Sequence, residues 1–144
     1  MILPYVDTSA LAKWYISEPG SEAFEAFVAG FPRIVISRLT LVELRCLLAR
    51  RRRAGEIAEP TAEAAFHLFE SDIAQGYLEI CPLVDQHAVS AVALPGRLRD
   101  HPLRTLDALH LSVAQTIGSQ TVATADRVMA RAAEALGLRT VVFG

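Results

Sequence analysis

The chain is 144 residues long, 52% hydrophobic and 21% charged, with a formal net charge of −2. That is enough chain to bury a core without disulfides or structural metal. The two cysteines, Cys46 and Cys81, match neither a disulfide framework nor a zinc motif and read as small buried hydrophobes.

No run of about 18 apolar residues offers a membrane span. The opening Met1-Ile2-Leu3-Pro4-Tyr5-Val6-Asp7 lacks the basic region and cleavage site of a signal peptide, so the expectation is a cytoplasmic protein with no membrane partner.

In chain order, Ile2–Val6 predicts a strand, with Pro4 an awkward occupant because proline cannot donate to a ladder. A helix follows over about Ser9–Ile16. Pro19-Gly20 breaks the chain, and Ser21 caps a helix to Val28 with Phe24, Phe27 and Val28 on one face. Ile34–Ile36 is a short apolar strand, and a helix from Thr40 to Arg53 stops at Gly55. Pro60-Thr61 opens another helix toward Gln75. Leu78–Cys81 predicts a strand, Asp85 caps a helix toward Leu94 that Pro95-Gly96 ends, and Arg97–Arg104 reads as a polar loop. Thr105–Ile117 is strongly helical in period, Thr121–Thr124 is a strand, Asp126–Leu136 is a helix closed by Gly137, and Val141–Phe143 is a last strand. This alternation predicts an α/β fold, three layers α/β/α around a short, mostly parallel central sheet, with residues 1–144 as a single domain.

Sites in such sheets form at the carboxyl ends of the strands. Asp7 and Asp126 directly follow strands there, and Glu43 and Asp107 fall in first helical turns. Each has an ordinary explanation. Asp7 and Asp126 suit N-caps, Thr40-Leu41-Val42-Glu43 matches a capping box, and Asp107 complements a helix dipole. Together, four carboxylates at one sheet edge repel unless something neutralises them. Hard divalent cations do so with oxygen ligands, and one or two of them can activate water and clamp a phosphodiester. The hydroxyls of Ser9 and Thr124 lie near these acids, placed either to orient ligands or to cap locally.

Of the 14 basic residues only Lys13 is lysine. Arg50 to Arg53 run together, with Arg38 and Arg45 upstream, and they read equally as a solvated helix end or as a phosphate-binding patch. Arg38, Arg45 and Arg50 are the candidate phosphate contacts. Net charge decides little, because setting four clustered acids aside moves it from −2 to +2. His110 and His67 sit in apolar surroundings and read as packed histidines, His87 gives no signal, and Asp100 reads as a solvated loop acid.

Four segments in order, Val6-Asp7-Thr8-Ser9-Ala10-Leu11, Thr40-Leu41-Val42-Glu43-Leu44, Leu106-Asp107-Ala108-Leu109-His110-Leu111 and Thr124-Ala125-Asp126, resemble the PIN-domain ribonucleases, and within them the VapC-type toxins of toxin–antitoxin pairs. The resemblance implies an acidic quartet of Asp7, Glu43, Asp107 and Asp126, catalytic and metal-binding, that uses Mg²⁺ or Mn²⁺ to hydrolyse RNA. It further implies a homodimer, a cognate antitoxin protein whose C-terminal segment covers the site, and structured substrates such as transfer or ribosomal RNA.

Other phosphate chemistries fit less well. An aspartyl phosphatase needs a second aspartate two residues after the first, where Ser9 stands, and no glycine-rich nucleotide motif occurs. Two alternatives remain open: a catalytically inactive binding module on the same fold, and a nuclease for DNA, since the metal acts on phosphate and not on the 2′-hydroxyl. Apolar surface on Ser21–Val28 and Thr40–Arg53 fills the core or forms a groove for a partner segment.

Overall fold

In each central strand successive apolar side chains enter two different cores. β1 (Tyr5–Val6), β2 (Ile34–Ser37), β3 (Leu78–Cys81), β4 (Thr121–Thr124) and β5 (Arg139–Val142) form one sheet in the order β3-β2-β1-β4-β5, every neighbouring pair parallel. Val6, Ile34, Ile36 and Ala123 pack into one core, Tyr5, Val35 and Val122 into the other. This period of two, buried on both sides, is what a parallel sheet covered by helices requires. The computed structural model describes residues 1–144.

The helices segregate as connection handedness demands. The chain moves from β1 to β2 to β3 through α1 (Thr8–Tyr15), α2 (Ser21–Val28), α3 (Arg38–Arg53) and α4 (Glu59–Ala74), all on the first face. It then crosses back over β1 to β4 and β5 through α5 (Asp85–Ala91), α6 (Leu94–Arg97), α7 (Thr105–Thr116) and α8 (Arg127–Ala135), on the second. Reversing the direction of travel while keeping right-handed crossovers moves the helices to the opposite face. The reversal puts a topological switch point between β1 and β4, and a crevice opens there at the strands' carboxyl ends.

Several sequence expectations change. β1 is only Tyr5–Val6; Pro4 precedes it and contributes its carbonyl, which accepts from the N–H of Val35 at 3.0 Å. α3 starts three residues earlier than the capping-box reading requires. Ser37 is its N-cap, accepting from Leu39 N at 3.0 Å, so Thr40 is no cap and Glu43 lies in the second turn. Part of the expected polar loop is helical, because α6 carries Leu94 into the core and runs through Pro95-Gly96 to Arg97. Cys46 is exposed and Cys81 half-buried, since Cys46 lies off the stripe that buries Leu44 and Leu48. The ring of His67 is 78% exposed and pairs loosely with Glu70 one turn on. His87 is buried at the start of α5, where Nδ1 accepts from the N–H of Val84 at 3.1 Å.

The one lysine is structural. Lys13 is buried, and Nζ donates to Pro19 O at 2.6 Å and to Glu18 at 3.3 Å, while Arg51 reaches the same glutamate at 2.6 Å. The turn they hold needs Gly20, which has φ +94° and lies where a Cβ would come within 3.0 Å of Gly144 N.

Candidate active site

The crevice at the switch point is a cleft of about 560 Å³, and Asp7, Glu43, Asp107 and Asp126 all line it. Asp7 follows β1 and caps α1; Asp126 follows β4 and caps α8. Asp107 is the third residue of α7, and Glu43 reaches in from the second turn of α3. Four loops or helix starts on one sheet edge therefore contribute one acid each.

Capping and ligand roles, alternatives in the sequence, coexist here because each carboxylate divides its two oxygens. Asp7 Oδ1 accepts from Ala10 N at 3.0 Å and Ser9 Oγ at 2.7 Å, leaving Oδ2 with one donor, Thr124 Oγ1. Asp126 Oδ1 accepts from Val128 N at 2.8 Å and Met129 N at 3.3 Å, and Oδ2 takes no protein donor. Asp107 uses only Oδ2, accepting from Arg104 N at 3.2 Å. Glu43 uses only Oε1, accepting from Thr8 Oγ1 at 2.8 Å and bonding His110 Nε2.

Ser9 and Thr124 are doubly engaged. Each hydroxyl donates to Asp7, and each oxygen also accepts a backbone N–H from the β4–α8 connection, Ala125 N on Ser9 at 2.9 Å and Asp126 N on Thr124 at 2.9 Å. They stitch the Asp7 turn to the Asp126 turn across the switch point.

Electrostatics mark the cleft as short of positive charge. Burial pushes the Asp7 carboxyl above its usual range, against the opposing charge of His110 and the hydroxyl bonds. Burial also raises Asp107, the N–H of Arg104 opposing and the charge of Asp126 adding. Glu43 goes the other way: burial favours its neutral form, but the hydrogen bond and charge of His110 with the bond from Thr8 outweigh it, and its pKa is lowered.

Two arginines border the acids, Arg50 and Arg104. Arg50 was expected as a phosphate contact; Arg104 was not, because the loop before Asp107 carries no motif of its own. Arg38 does not line the cleft. Arg45 is engaged elsewhere, 3.5 Å from Glu63 and over the ring of Phe66 at 4.5 Å. His110 was expected as a packed histidine. It is packed, at 4% exposure, but both ring nitrogens are bonded, to Tyr5 Oη and to Glu43.

No three acidic, histidine or cysteine side chains converge into a closed ligand cage. The donor set is nonetheless all carboxylate, with an oxygen of each acid free of protein donors or lightly used. That suits a hard cation which keeps several waters and takes few carboxylates directly, as Mg²⁺ and its like do, and not a zinc or thiolate site.

Fold and cleft together define a doubly wound parallel α/β domain with a carboxylate-lined crevice at its switch point. The PIN domain family model matches residues 5–135, and ribonuclease VapC49 of Mycobacterium tuberculosis is 34% identical over 143 residues, covering 96% of this chain and 94% of that protein. The chain belongs to the PIN-domain family, among its VapC ribonucleases. Solved structures agree in fold. Mycobacterium tuberculosis VapC20, a Sarcin-Ricin loop cleaving toxin, superposes with a TM-score of 0.70 at 21% identity, covering 89% of this chain and 93% of that one. A DNA-bound VapBC of Salmonella typhimurium does so with a TM-score of 0.70 at 21% identity, covering 99% and 98%.

Proposed function

We propose that this chain, acting as one domain over residues 1–144, is a Mg²⁺- or Mn²⁺-dependent endoribonuclease and the toxin of a toxin–antitoxin pair. The observation that carries the reading is the shared cleft: four carboxylates from four separate elements, each leaving an oxygen free or lightly used. Asp7, Asp107, Glu43 and Asp126 would hold the ion. When bound, such an ion polarises a phosphodiester oxygen and acidifies water.

The chain's own residues do the rest. Backbone N–H groups at the helix starts oppose the burial that raises Asp7 and Asp107, and a bound cation would complete the shift to the ionised forms that ligands need. Ser9 and Thr124 keep Asp7 and Asp126 in register. Arg50 and Arg104 lie beside the acids, where guanidinium groups seat the phosphates on either side of the scissile bond. The expected substrate is a structured RNA such as transfer or ribosomal RNA. A cognate antitoxin would silence the enzyme by placing a cationic side chain among the uncompensated acids, and arginine is the natural choice for carboxylate pairs. A homodimer, as the family resemblance implies, completes the proposal.

The test is cleavage of total RNA and of single-stranded DNA by the purified protein, with and without Mg²⁺ or Mn²⁺, beside Asp7→Asn. Expected are metal-dependent cuts in RNA that vanish in the variant, with co-purification of a small protein when the neighbouring gene is co-expressed. A wild-type protein inert toward both nucleic acids with either metal, or a variant that cuts equally well, overturns the nuclease reading.

A further inference from the structure

Behind the acids lies a buried polar chain that metal binding and phosphate contact do not by themselves require. Tyr5, on β1, is 0% exposed, and its hydroxyl meets His110 Nδ1 at 2.5 Å. His110, on α7 and 4% exposed, meets Glu43 Oε1 through Nε2 at 2.5 Å, and Thr8 on α1 donates to the same oxygen at 2.8 Å. Two elements, α1 and α7, thus converge on one oxygen of a glutamate from α3, with β1 behind the histidine. Glu43 Oε2 takes no protein donor.

The donor inventory fixes one end of the chain. An ionised carboxylate only accepts, so Nε2 carries a hydrogen toward Glu43. The Tyr5 hydroxyl holds the other ring nitrogen, so the imidazole cannot turn away. A second group bonded at the far ring nitrogen is how histidines are oriented for a task.

We propose that His110 is a positioning residue: held at Nδ1 by Tyr5, it occupies one oxygen of Glu43 through Nε2 and turns the other toward a divalent cation. The role rests on the metal-dependent reading given above. It also explains why a histidine three residues after Asp107 sits inside the cleft wall without being a ligand itself.

The experiment uses the full chain, labelled with ¹⁵N. Long-range proton–nitrogen correlation spectra read the His110 tautomer, and electron paramagnetic resonance titration reads Mn²⁺ binding without substrate. The wild type should show a hydrogen on Nε2. Tyr5→Phe, which keeps the ring packing and removes only the hydroxyl, should loosen the imidazole, broaden its Nε2–H signal and weaken Mn²⁺ about tenfold. His110→Leu should weaken Mn²⁺ by about 10–100-fold, and His110→Gln, whose amide nitrogen reaches the Nε2 position, should recover most of the loss. Should His110→Leu fail to fold, Tyr5→Phe carries the test alone. A wild-type ring with no hydrogen on Nε2, or wild-type Mn²⁺ affinity in folded His110→Leu or in Tyr5→Phe, overturns the role of His110. A wild type that binds no Mn²⁺ overturns the metal reading itself.

Discussion

Thr124→Val is the most informative single change outside the acids. The substitution is nearly isosteric, and position 124 is fully buried at the end of β4, so packing survives while the hydroxyl goes. Two strong interactions are lost, along with the longer 3.3 Å contact to Ser9 Oγ. The donor to Asp7 Oδ2 is charge-assisted, contributing about 1.5–3 kcal/mol. The acceptor for Asp126 N–H, at 2.9 Å, is also lost, leaving a part-buried donor at a cost of about 1 kcal/mol. Together they predict a loss of roughly 3 kcal/mol, or about 10 °C in Tm for a chain of this length. Because Asp7 and Asp126 lose their shared anchor, metal affinity should fall by about 10–100-fold as well. Thermal unfolding of the metal-free protein and a Mn²⁺ titration measure the two effects separately, and Thr124→Ser should restore most of both. A valine variant within about 0.5 kcal/mol of wild type and of unchanged Mn²⁺ affinity would refute the idea that this hydroxyl couples the two turns.

Three further outcomes follow from the same contacts. Asp7→Asn should abolish cleavage yet leave the metal-free protein as stable as wild type or more so at pH 7; the folded pKa of Asp7 is raised, so ionisation costs stability as pH rises from the unfolded carboxyl value through the folded one. Unfolding curves from pH 4 to 7 check it, and an advantage for the variant that grows toward low pH would have the wrong sign. Gly20→Ala should lose about 1–3 kcal/mol, from positive φ and from the 3.0 Å approach to Gly144 N, and more than Gly55→Ala, where φ is +76° but no atom lies within 4 Å; denaturant midpoints compare them. In an Asp7→Asn background, Arg104→Ala should weaken RNA binding and lower the salt-dependence slope by about 0.7 per lost phosphate contact, whereas Arg45→Ala, already engaged with Glu63 and Phe66, should leave the slope unchanged in fluorescence titrations.

The layer order and the sheet edge bearing the acids were legible because they follow from hydrophobic period and crossover handedness, both local in sequence. Asp7, Asp107 and Asp126 were placed correctly, since each lies within three residues of a strand end or helix start. Glu43 lines the cleft, but not from the first helical turn where the sequence put it: Ser37 wins the cap from Thr40 and shifts the helix start, which also removes the capping-box explanation. Arg45, Arg50 and Arg104 illustrate what spacing cannot carry. Whether an arginine meets Glu63, the cleft or solvent depends on packing between helices distant in sequence. The Tyr5–His110 pair is separated by 105 residues, and neither residue signals the other.

The four acids are held by two different means, and the difference follows from where each side chain starts. The three aspartates have short side chains at helix starts, where unpaired backbone N–H groups are at hand: Ala10 N for Asp7, Arg104 N for Asp107, Val128 N and Met129 N for Asp126. Their orientation comes with the fold itself, so any sequence that builds these helices and keeps an aspartate there aims it. Glu43 lies one turn inside α3, where every nearby N–H is already spent on the helix ladder. A longer side chain with an extra rotatable bond, and no local donor, must take its donors from other elements. Thr8 comes from α1 and His110 from α7, so the glutamate is aimed only once both faces of the sheet are assembled. On that argument, loosening the packing of α7 should disturb Glu43 before it disturbs Asp7 or Asp126.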